Sequence, residues 1–484
     1  MTRACAGIII ACRREDRHLA AMNSQGSIGL SFKESIIGLD NIMKKKKFLL
    51  KAKRFLLVTF SITVLIMIVA WAFGIRWRHL QTLRLIFPEP MLLSAQEKAE
   101  VHEWLQNNTL PLKTIEAGSG FEDMMPLRAM IGDAHIVSLG ESAHLNGSFY
   151  KVKHRLVEFL VSEMDFTVFA MEAPFGCASK INEFLLGGQV SPQEALEELV
   201  YKVWRTEEVL DMLIWMRKYN AAHDRKVKFY GFDDRPAFRC AKVVYDYLRK
   251  TNGTGDYDNI LLEWITLKFD RTDKDKMNSI LGDVRNLVSY LEKKRPAAGP
   301  DKKEWEFAVQ NSRVLYQHLV HFLAMPDRSK ASDIRDKHMA ENVRWIIEYE
   351  EGAKTILWAA NPHITVLPGS GCMGAYLRKM YGDDMVVIAL LCNGSSSDSS
   401  DGKQFYAQAG SLEEVFTMAG LELSILDFRS LPEGIISKYF NSPFRSGGIH
   451  ILYPISYDAV LFIQSTSGAH IIETQDFLFK IPEI

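Results

Sequence analysis

The sequence predicts an α/β protein in which a mostly parallel central sheet is flanked by helices. Residues 135–139 form a short apolar run rich in β-branched side chains, and residues 167–171 form a second one. Between them, apolar residues recur at steps of three and four over residues 149–160, which is the pattern of a helix that buries one face. Parallel strands need such a helical crossover, so the two strands and the helix predict a βαβ unit.

Further apolar runs extend this pattern along the chain. They lie at residues 227–232, 354–359, 385–391, 449–453 and 459–463. Each run is short, which is typical of strands in a buried sheet. Helical periodicity predicts helices over residues 94–105, 177–186, 192–203 and 206–222. The first of these begins with Ser94 and has Glu97 three residues later, which predicts a capping box.

The long segment over about residues 237–349 has a different character. Its pattern is charged and helical, and it contains no good strand. We therefore expect a helical subdomain that is inserted between strands of the sheet and forms one wall of a cleft.

The N-terminal part of the sequence divides into four segments before the folded part, which is expected over 91–484. Residues 1–42 show no periodicity and are expected to be a non-structured extension, and residues 43–54 are basic. Residues 55–75 are nearly free of polar groups and long enough to span a bilayer. The positive charges before this span predict a single-pass cell-membrane protein with its folded part outside the cytoplasm, joined by a linker at 76–90. A cleaved signal peptide followed by secretion is the alternative.

Composition excludes one class of partner and restricts the use of cysteine. The net charge is −1 and no pattern of basic and aromatic residues is present, so no nucleic-acid partner is expected. The six cysteines include no CxxC pair and no zinc spacing. Buried free thiols are the preferred interpretation, and a disulfide in an exported protein is the alternative.

Acidic and imidazole side chains follow four of the predicted strands. Glu141 and His144 follow the first, Glu172 follows the second, Asp233 the third and His363 the fourth. Sites in open parallel sheets form at the carboxyl ends of the strands, so these side chains are expected to meet. A histidine that a carboxylate holds is a competent general base.

The sequence favours attack by water over a covalent intermediate. It contains no G-x-S-x-G nucleophile elbow, and no cysteine has an evident histidine partner by motif. Glu141, His144, Glu172 and His363 could instead ligate zinc or manganese, although no HExxH pair is present. The preferred interpretation has neither metal nor cofactor, and a metal-dependent hydrolase is an alternative.

The chain resembles the erythromycin esterase family in eight separated pieces, which occur in the order of the family. The pieces are SLGESAH (138–144), KVKHRLVEFL (151–160), FAMEAP (169–174), WRTEEVLDMLIWMRKYN (204–220), FYGFDD (229–234), RDKHMAENVRW (335–345), LWAANPHI (357–364) and MGAYLRKMYG (373–382). The resemblance implies that residues 91–484 form a hydrolase that cleaves an ester or related acyl bond of a small-molecule substrate. It also implies that a histidine activates water, without a covalent intermediate.

The resemblance further implies roles for individual positions. His144 matches the base of the family, and Glu141, Glu172 and His363 match the other catalytic positions. Four more residues are candidate substrate contacts: Lys153, Asp233, Asn361 and Arg335. For Lys153 an ion pair with Glu172 is the alternative, for Asp233 a turn at the strand end, and for Arg335 an ion pair at a helix end.

Two departures from the family pattern bear on function. Ala360 occupies the position where the family usually has a histidine, and Lys153 occupies one where it usually has an arginine. Lysine keeps the positive charge but loses the planar fork of arginine. A catalytically impaired extracytoplasmic binding protein with the same fold is therefore the second functional alternative.

Overall fold

The computed structural model describes residues 91–253, 255–266, 274–296, 300–396, 404–446 and 449–473. Its centre is an eight-stranded sheet with the order β1-β9-β12-β6-β2-β5-β3-β4. These strands are β1 (Leu110–Pro111), β2 (Ile136–Leu139), β3 (Val168–Pro174), β4 (Lys228–Asp233), β5 (Thr355–Trp358), β6 (Met385–Cys392), β9 (Leu423–Asp427) and β12 (Ala459–Ile463). Two small antiparallel hairpins are β7 (Gly394–Ser396) with β8 (Gln404–Tyr406), and β10 (Phe444–Ser446) with β11 (Ile449–Ile451).

The predicted fold class is confirmed. The six strands from β12 to β4 in the sheet are parallel to their neighbours, whereas β9 runs antiparallel to both β12 and β1. Every residue of β2, β3 and β5 is buried. Such continuous apolar runs are expected where helices cover both faces of a parallel sheet.

Sixteen α-helices accompany these strands in the described part of the chain. They are α1 (Ala95–Asn108), α2 (Leu127–Ile131), α3 (Gly147–Met164), α4 (Ala178–Leu185), α5 (Pro192–Glu197), α6 (Glu207–Ala222), α7 (Phe238–Lys250), α8 (Asp258–Ile265), α9 (Lys274–Lys293), α10 (Pro300–Ala324), α11 (Arg328–Tyr349), α12 (Asn361–Ile364), α13 (Met373–Tyr381), α14 (Leu412–Met418), α15 (Ile435–Phe440) and α16 (Tyr453–Ser456). Helices α7 to α11 all lie between β4 and β5 in the chain.

The alternation of side chains along each strand divides the interior into two cores. Ile136 of β2 and Leu357 of β5 belong to the core that also contains side chains of α7, α10 and α11. Their neighbours Val137 and Ile356 belong to the other core, which contains side chains of α3 and α6. The carboxyl ends of β2, β3, β4 and β5 therefore lie between two helical layers, which are the walls of the site described below.

The prediction of a membrane anchor is corrected. No helix in the described ranges is long and apolar enough to cross a membrane. The predicted span at 55–75 lies outside the described residues, as do the expected extension at 1–42, the basic segment at 43–54 and the linker at 76–90. The interpretation as a single-pass membrane protein with an extracytoplasmic catalytic domain is therefore not retained.

Candidate active site

The loop after β2 carries Glu141 and His144. It begins at Gly140, where a Cβ atom would lie 2.0 Å from Oδ1 of Asn361, so only glycine allows this close approach. The loop ends at Asn146, whose side chain caps α3 by accepting from the N–H of Phe149. Glu141 and His144 are thus fixed between the end of a buried strand and the start of a buried helix.

The carboxylate of Glu141 is buried and has polar partners at both oxygens. Oε1 lies 2.6 Å from Nδ1 of His144, while Oε2 accepts from Nζ of Lys153 at 2.6 Å and from Nε1 of Trp358 at 2.8 Å. We refer to Glu141, His144, Lys153 and Trp358 as the His144 group. The two donors on Oε2 compensate the burial of the carboxylate, which leaves Oε1 to orient the imidazole.

The ring of His144 is bonded at Nδ1, and its side chain is partly exposed. Its side chain is 42% exposed, and its other ring contact is an edge-to-face packing on Trp204 at 5.3 Å. Because a carboxylate oxygen accepts, we assign the proton to Nδ1 and the lone pair to Nε2. The hydrogen bond with Glu141 raises the pKa of His144, against the opposing effect of burial. The result is a ring that takes up a proton more readily than an ordinary histidine does.

Lys153 is fully buried behind Glu141. Its ammonium lies 4.1 Å from the centre of the Trp358 ring, in a cation–π contact. Burial lowers the pKa of Lys153 to about 8, while the charge of Glu141 opposes that fall. The sequence left open whether Lys153 contacts substrate or pairs with Glu172, and the structure instead pairs it with Glu141.

A second set of charges surrounds Arg335, which extends from α11 towards the ends of β3 and β4. Its Nε and NH2 donate to the two oxygens of Asp233 at 3.0 and 2.6 Å, and NH2 also donates to Glu172 at 2.8 Å. All three side chains are at least nine-tenths buried. The bidentate contact with Asp233 is a strong, directional ion pair. We refer to Glu172, Asp233, Arg335, Asp336 and His363 as the Arg335 group.

His363 completes the Arg335 group with both of its nitrogens engaged. Nδ1 lies 2.7 Å from Oδ1 of Asp336, and Nε2 lies 3.0 Å from NH1 of Arg335. An arginine can only donate, so Nε2 accepts and Nδ1 carries the proton. His363 therefore has no free lone pair for a substrate in this arrangement.

Glu172 is held as a carboxylate by its neighbours. Burial raises its pKa, but the neighbouring side chains of His363 and Arg335 and the backbone N–H of Ala360 lower it more strongly, to about 2. The Ala360 N–H donates to Oε2 of Glu172 at 3.1 Å. Ala360, which stands where the family usually has a histidine, thus contributes a backbone donor to the site.

Asn361 joins β6 to the loop after β2. Its amide donates to the carbonyl of Leu390 and accepts from the N–H of the same residue, at 2.9 and 3.2 Å. Both functional ends of the side chain are thereby bonded to the backbone of β6, and Asn361 also donates its own N–H to the carbonyl of Glu141. The structure thus places this predicted substrate contact between β6 and the loop after β2.

Two tryptophans join the His144 group to the Arg335 group. Trp204 packs against His144 and donates its indole N–H to the carbonyl of Glu172 at 3.0 Å. Trp358 donates to Glu141 and packs edge-on against Trp204 at 5.8 Å. The eight predicted site residues are therefore brought to one edge of the sheet. The sequence did not assign Trp358 or Asp336 to this site, although Trp358 ends β5 and could have been found by the same strand-end argument.

A separate polar cluster lies beside the Arg335 group, where Asp234 contacts the helical layer. Its carboxylate lies 3.0 Å from Nδ1 of His321, and its carbonyl lies 3.0 Å from Nδ1 of His318. Across the residues that the structure describes, no set of three or more His, Cys, Asp or Glu side chains is arranged to hold a metal ion. The metal-dependent alternative therefore has no candidate ligand set there.

The sheet and its strand-end groups define an α/β protein in which acidic and imidazole side chains meet at the carboxyl ends of parallel strands. The model of the family described as erythromycin esterase matches residues 161–466, which is more than half of the chain. The chain therefore belongs to the erythromycin esterase family.

Known proteins agree with this assignment at low identity. The chain is 23% identical to erythromycin esterase type II of Escherichia coli over 417 residues, covering 76% of this chain and 99% of the relative. A crystal structure of a Bacillus cereus protein has a TM-score of 0.67 at 23% identity, over 78% of this chain and 99% of that one. A mutant of the erythromycin esterase EreC, in its open conformation, has a TM-score of 0.56 at 17% identity, over 73% and 96%. These structural similarities concern the fold.

Proposed function

We propose that the protein hydrolyses an ester or related acyl bond of a small molecule, with water activated by His144 and no covalent intermediate. The observation that carries this proposal is the contact of Glu141 with Nδ1 of His144, whose side chain is partly exposed. That contact assigns the lone pair to Nε2, which is the nitrogen that can accept a proton from water.

In the proposed reaction His144 accepts one proton from water and later donates it to the leaving group. As the water oxygen attacks the acyl carbon, Nε2 of His144 takes one of its protons, and Glu141 stabilises the imidazolium that forms. When the tetrahedral intermediate collapses, the bond to the leaving alkoxide breaks and the imidazolium returns the proton to that oxygen. A general base of this kind contributes roughly 10²–10⁴-fold to the rate.

The Arg335 group is proposed to support this step from the neighbouring strand ends. The negative charge of Glu172 acts together with Glu141 to raise the pKa of His144, and so favours the protonated ring. His363 is proposed to hold Arg335 and Asp336 in place, because neither of its nitrogens is free to serve as a second base. The catalytic contribution of Glu172 and His363 is thus indirect in this proposal, through charge and position.

The described cysteines support the non-covalent route. Burial raises the pKa of the thiols of Cys177, Cys240, Cys372 and Cys392. A thiol is nucleophilic as the thiolate, so a raised pKa disfavours these four side chains as nucleophiles at neutral pH.

The test is hydrolysis of a panel of esters by the full chain and by His144→Ala. The matched control is His135→Ala, because His135 also pairs with a carboxylate, Asp384, at 2.7 Å and is also exposed, but it precedes β2 at the opposite end of the strand. We expect His144→Ala to lose at least about 100-fold in kcat/KM and His135→Ala to keep most of the activity. Equal activity of the wild type and His144→Ala on every ester would refute the proposal.

A binding protein without turnover is the second candidate, and Ala360 is the observation that favours it. A small side chain stands next to Glu172 where the family pattern has an imidazole. If an imidazole is the missing catalytic part, Ala360→His should create or strongly raise ester hydrolysis. No gain in Ala360→His would remove the reason for this second candidate.

A further inference from the structure

The residue after His144 has an unusual backbone conformation. Leu145 has φ +58°, in the left-handed region that a side chain with a Cβ atom rarely adopts. Such a conformation persists only where the surrounding structure holds it, and it tends to relax when its partners are removed. Because Leu145 directly follows His144, a relaxation there would move the imidazole away from Glu141.

Both polar groups of the Leu145 backbone are held by partners. Its N–H donates to the hydroxyl oxygen of Tyr150 at 2.9 Å, and its carbonyl accepts from the N–H of Ala469 at 2.9 Å. Tyr150 is itself fixed, because it is buried and donates to the carbonyl of Val203 at 3.0 Å. One hydrogen-bond partner of Leu145 therefore lies in α3, and the other lies in a segment more than 300 positions further along the chain.

That distant segment, residues 467–472, runs across the starts of α3 and α6, and we call it the strap. On the α3 side, the N–H of Gly147 donates to the carbonyl of Ser467, and Asn146 pairs with Gly468 in an antiparallel bridge. A Cβ atom at Gly147 would lie 2.6 Å from the carbonyl oxygen of Gly468, so the glycine allows the strap to come this close.

The far end of the strap is attached to the start of α6. The N–H of Ile472 donates to the carbonyl of Arg205, and the N–H of Glu207 donates to the carbonyl of His470. The N–H of His470 also donates to the buried carboxylate of Glu208 at 3.1 Å. The strap is therefore fixed at both ends, and Ala469 lies at the point where it meets the loop of His144.

We propose that the strap is a positioning element for His144, which holds Leu145 in its left-handed conformation through the N–H of Ala469. This role rests on the proposed function of His144 as the base. Loss of the Ala469 contact allows Leu145 to relax towards the ordinary φ range, and the imidazole then loses its contact with Glu141 for part of the time. Tyr150 supports the same conformation from the other side of the peptide.

The first variant is Ala469→Pro, which removes the N–H that donates to the carbonyl of Leu145. The matched control is Ile472→Pro, which removes the strap bond to Arg205 and leaves the contact with Leu145 in place. Both are made in the full chain, and thermal unfolding confirms that each is folded and measures its loss of stability. If Ala469→Pro does not fold, Tyr150→Phe replaces it, because it removes the acceptor of the Leu145 N–H.

The decisive readout is the titration of His144 by NMR, which does not depend on activity. The signal is assigned among the 13 histidines by its absence in His144→Gln. The charges that act on this ring are Glu141, Glu172 and Lys153. We expect the His144 pKa to fall towards its ordinary value in Ala469→Pro and to stay at the wild-type value in Ile472→Pro.

The kinetic readout adds a rescue that a merely structural role would not produce. We expect Ala469→Pro to lower kcat at least about tenfold, because without its partner Leu145 favours the ordinary φ range over the left-handed one by about that ratio. Ile472→Pro should lower kcat less than about twofold. Leu145→Gly in the Ala469→Pro background should restore most of kcat, because glycine adopts positive φ without strain. An unchanged His144 titration in folded Ala469→Pro, or equal effects of the two proline variants, would overturn the proposal.

The same measurements separate this proposal from the proposed function. If the wild type hydrolyses no ester but the His144 titration still responds to Ala469→Pro and not to Ile472→Pro, the assignment of the reaction fails and the positioning role stands. If esters are hydrolysed and both variants leave the titration and kcat unchanged, the positioning role fails and the reaction stands.

Discussion

Glu172→Gln tests the charge balance of the Arg335 group, because it removes one negative charge and keeps the shape of the side chain. Glu172 is buried, accepts from Arg335 at 2.8 Å and accepts from the Ala360 N–H at 3.1 Å. Its pKa lies at about 2, below the ordinary value of 4.5. A carboxyl group with a lowered pKa binds fewer protons in the folded state, so it stabilises the fold above the unfolded pKa and loses this effect as pH falls.

The size of the effect follows from the difference in pKa. A fall of about 2.5 at 1.36 kcal/mol for each pKa unit corresponds to about 3 kcal/mol of folding free energy at pH 7. The same linkage leaves about 2–3 kcal/mol at pH 4 and about 1 kcal/mol at pH 3. We therefore expect the difference between wild type and Glu172→Gln to shrink over this range, because the wild type loses the stabilisation and the glutamine variant never had it.

Urea unfolding at several pH values between 7 and 3 measures this difference directly. The matched control is Glu163→Gln, which removes a carboxylate from an exposed pair with Arg128 and should change the free energy of unfolding by less than about 1 kcal/mol. A Glu172→Gln variant that is as stable as the wild type at pH 7, or a difference that stays constant down to pH 3, would refute the account of the Arg335 group.

Three further predictions concern neighbouring residues and the mechanism. Asn361→Ala leaves both backbone groups of Leu390 unpaired and should lower the free energy of unfolding by about 2–3 kcal/mol in urea titrations. The kcat/KM of the wild type should fall as pH drops through the raised pKa of His144, because the protonated ring cannot accept a proton. In Glu141→Gln this fall should move to lower pH, and an unmoved profile would argue against the Glu141 contact as its cause. Elemental analysis of protein purified without chelator should find no stoichiometric metal, and treatment with a chelator should leave ester hydrolysis unchanged.

The strand ends of a parallel sheet predict which side chains meet. Glu141 and His363 follow β2 and β5, whereas Glu172 and Asp233 lie in the last residues of β3 and β4. They are far apart in the sequence, yet the four strands are neighbours in one parallel sheet. Parallel register places the ends of such strands side by side, so the type of residue at each end is informative without any knowledge of tertiary contacts. The capping box at Ser94 and Glu97 was also predicted, because it depends on local geometry alone.

The partners of these side chains could not be predicted from local pattern. Arg335 reaches Glu172 from a position 163 residues later, and the sequence favoured an ion pair at a helix end over a place in the site. Periodicity gives the buried face of α11 but does not specify which strand end that face covers. Lys153 shows the same limit, because its spacing places it on α3 without indicating whether Glu141 or Glu172 is nearer.

The edge of the sheet shows where the pattern of apolar runs was insufficient. The run at 449–453 was predicted as a late strand, and its first three residues form β11, which pairs with β10 in a separate hairpin. On the side away from β6, β12 pairs with β9 at Leu423–Asp427, a strand that the apolar runs did not indicate. A short run indicates that a segment is extended, but the partner of an edge strand is set by long-range packing.

The two departures from the family pattern act in physically different ways. Lys153 is enclosed between Glu141 and the Trp358 ring, where a compact ammonium makes one short contact and a cation–π contact. This enclosure keeps the charge opposite Glu141 without a planar fork, so the lysine still fixes Glu141 in place. Ala360 contributes to the site through its N–H, which any residue except proline can donate to Glu172. A change at 360 can therefore add a side chain to the site without removing an existing contact, whereas a change at 153 acts on the carboxylate that orients His144.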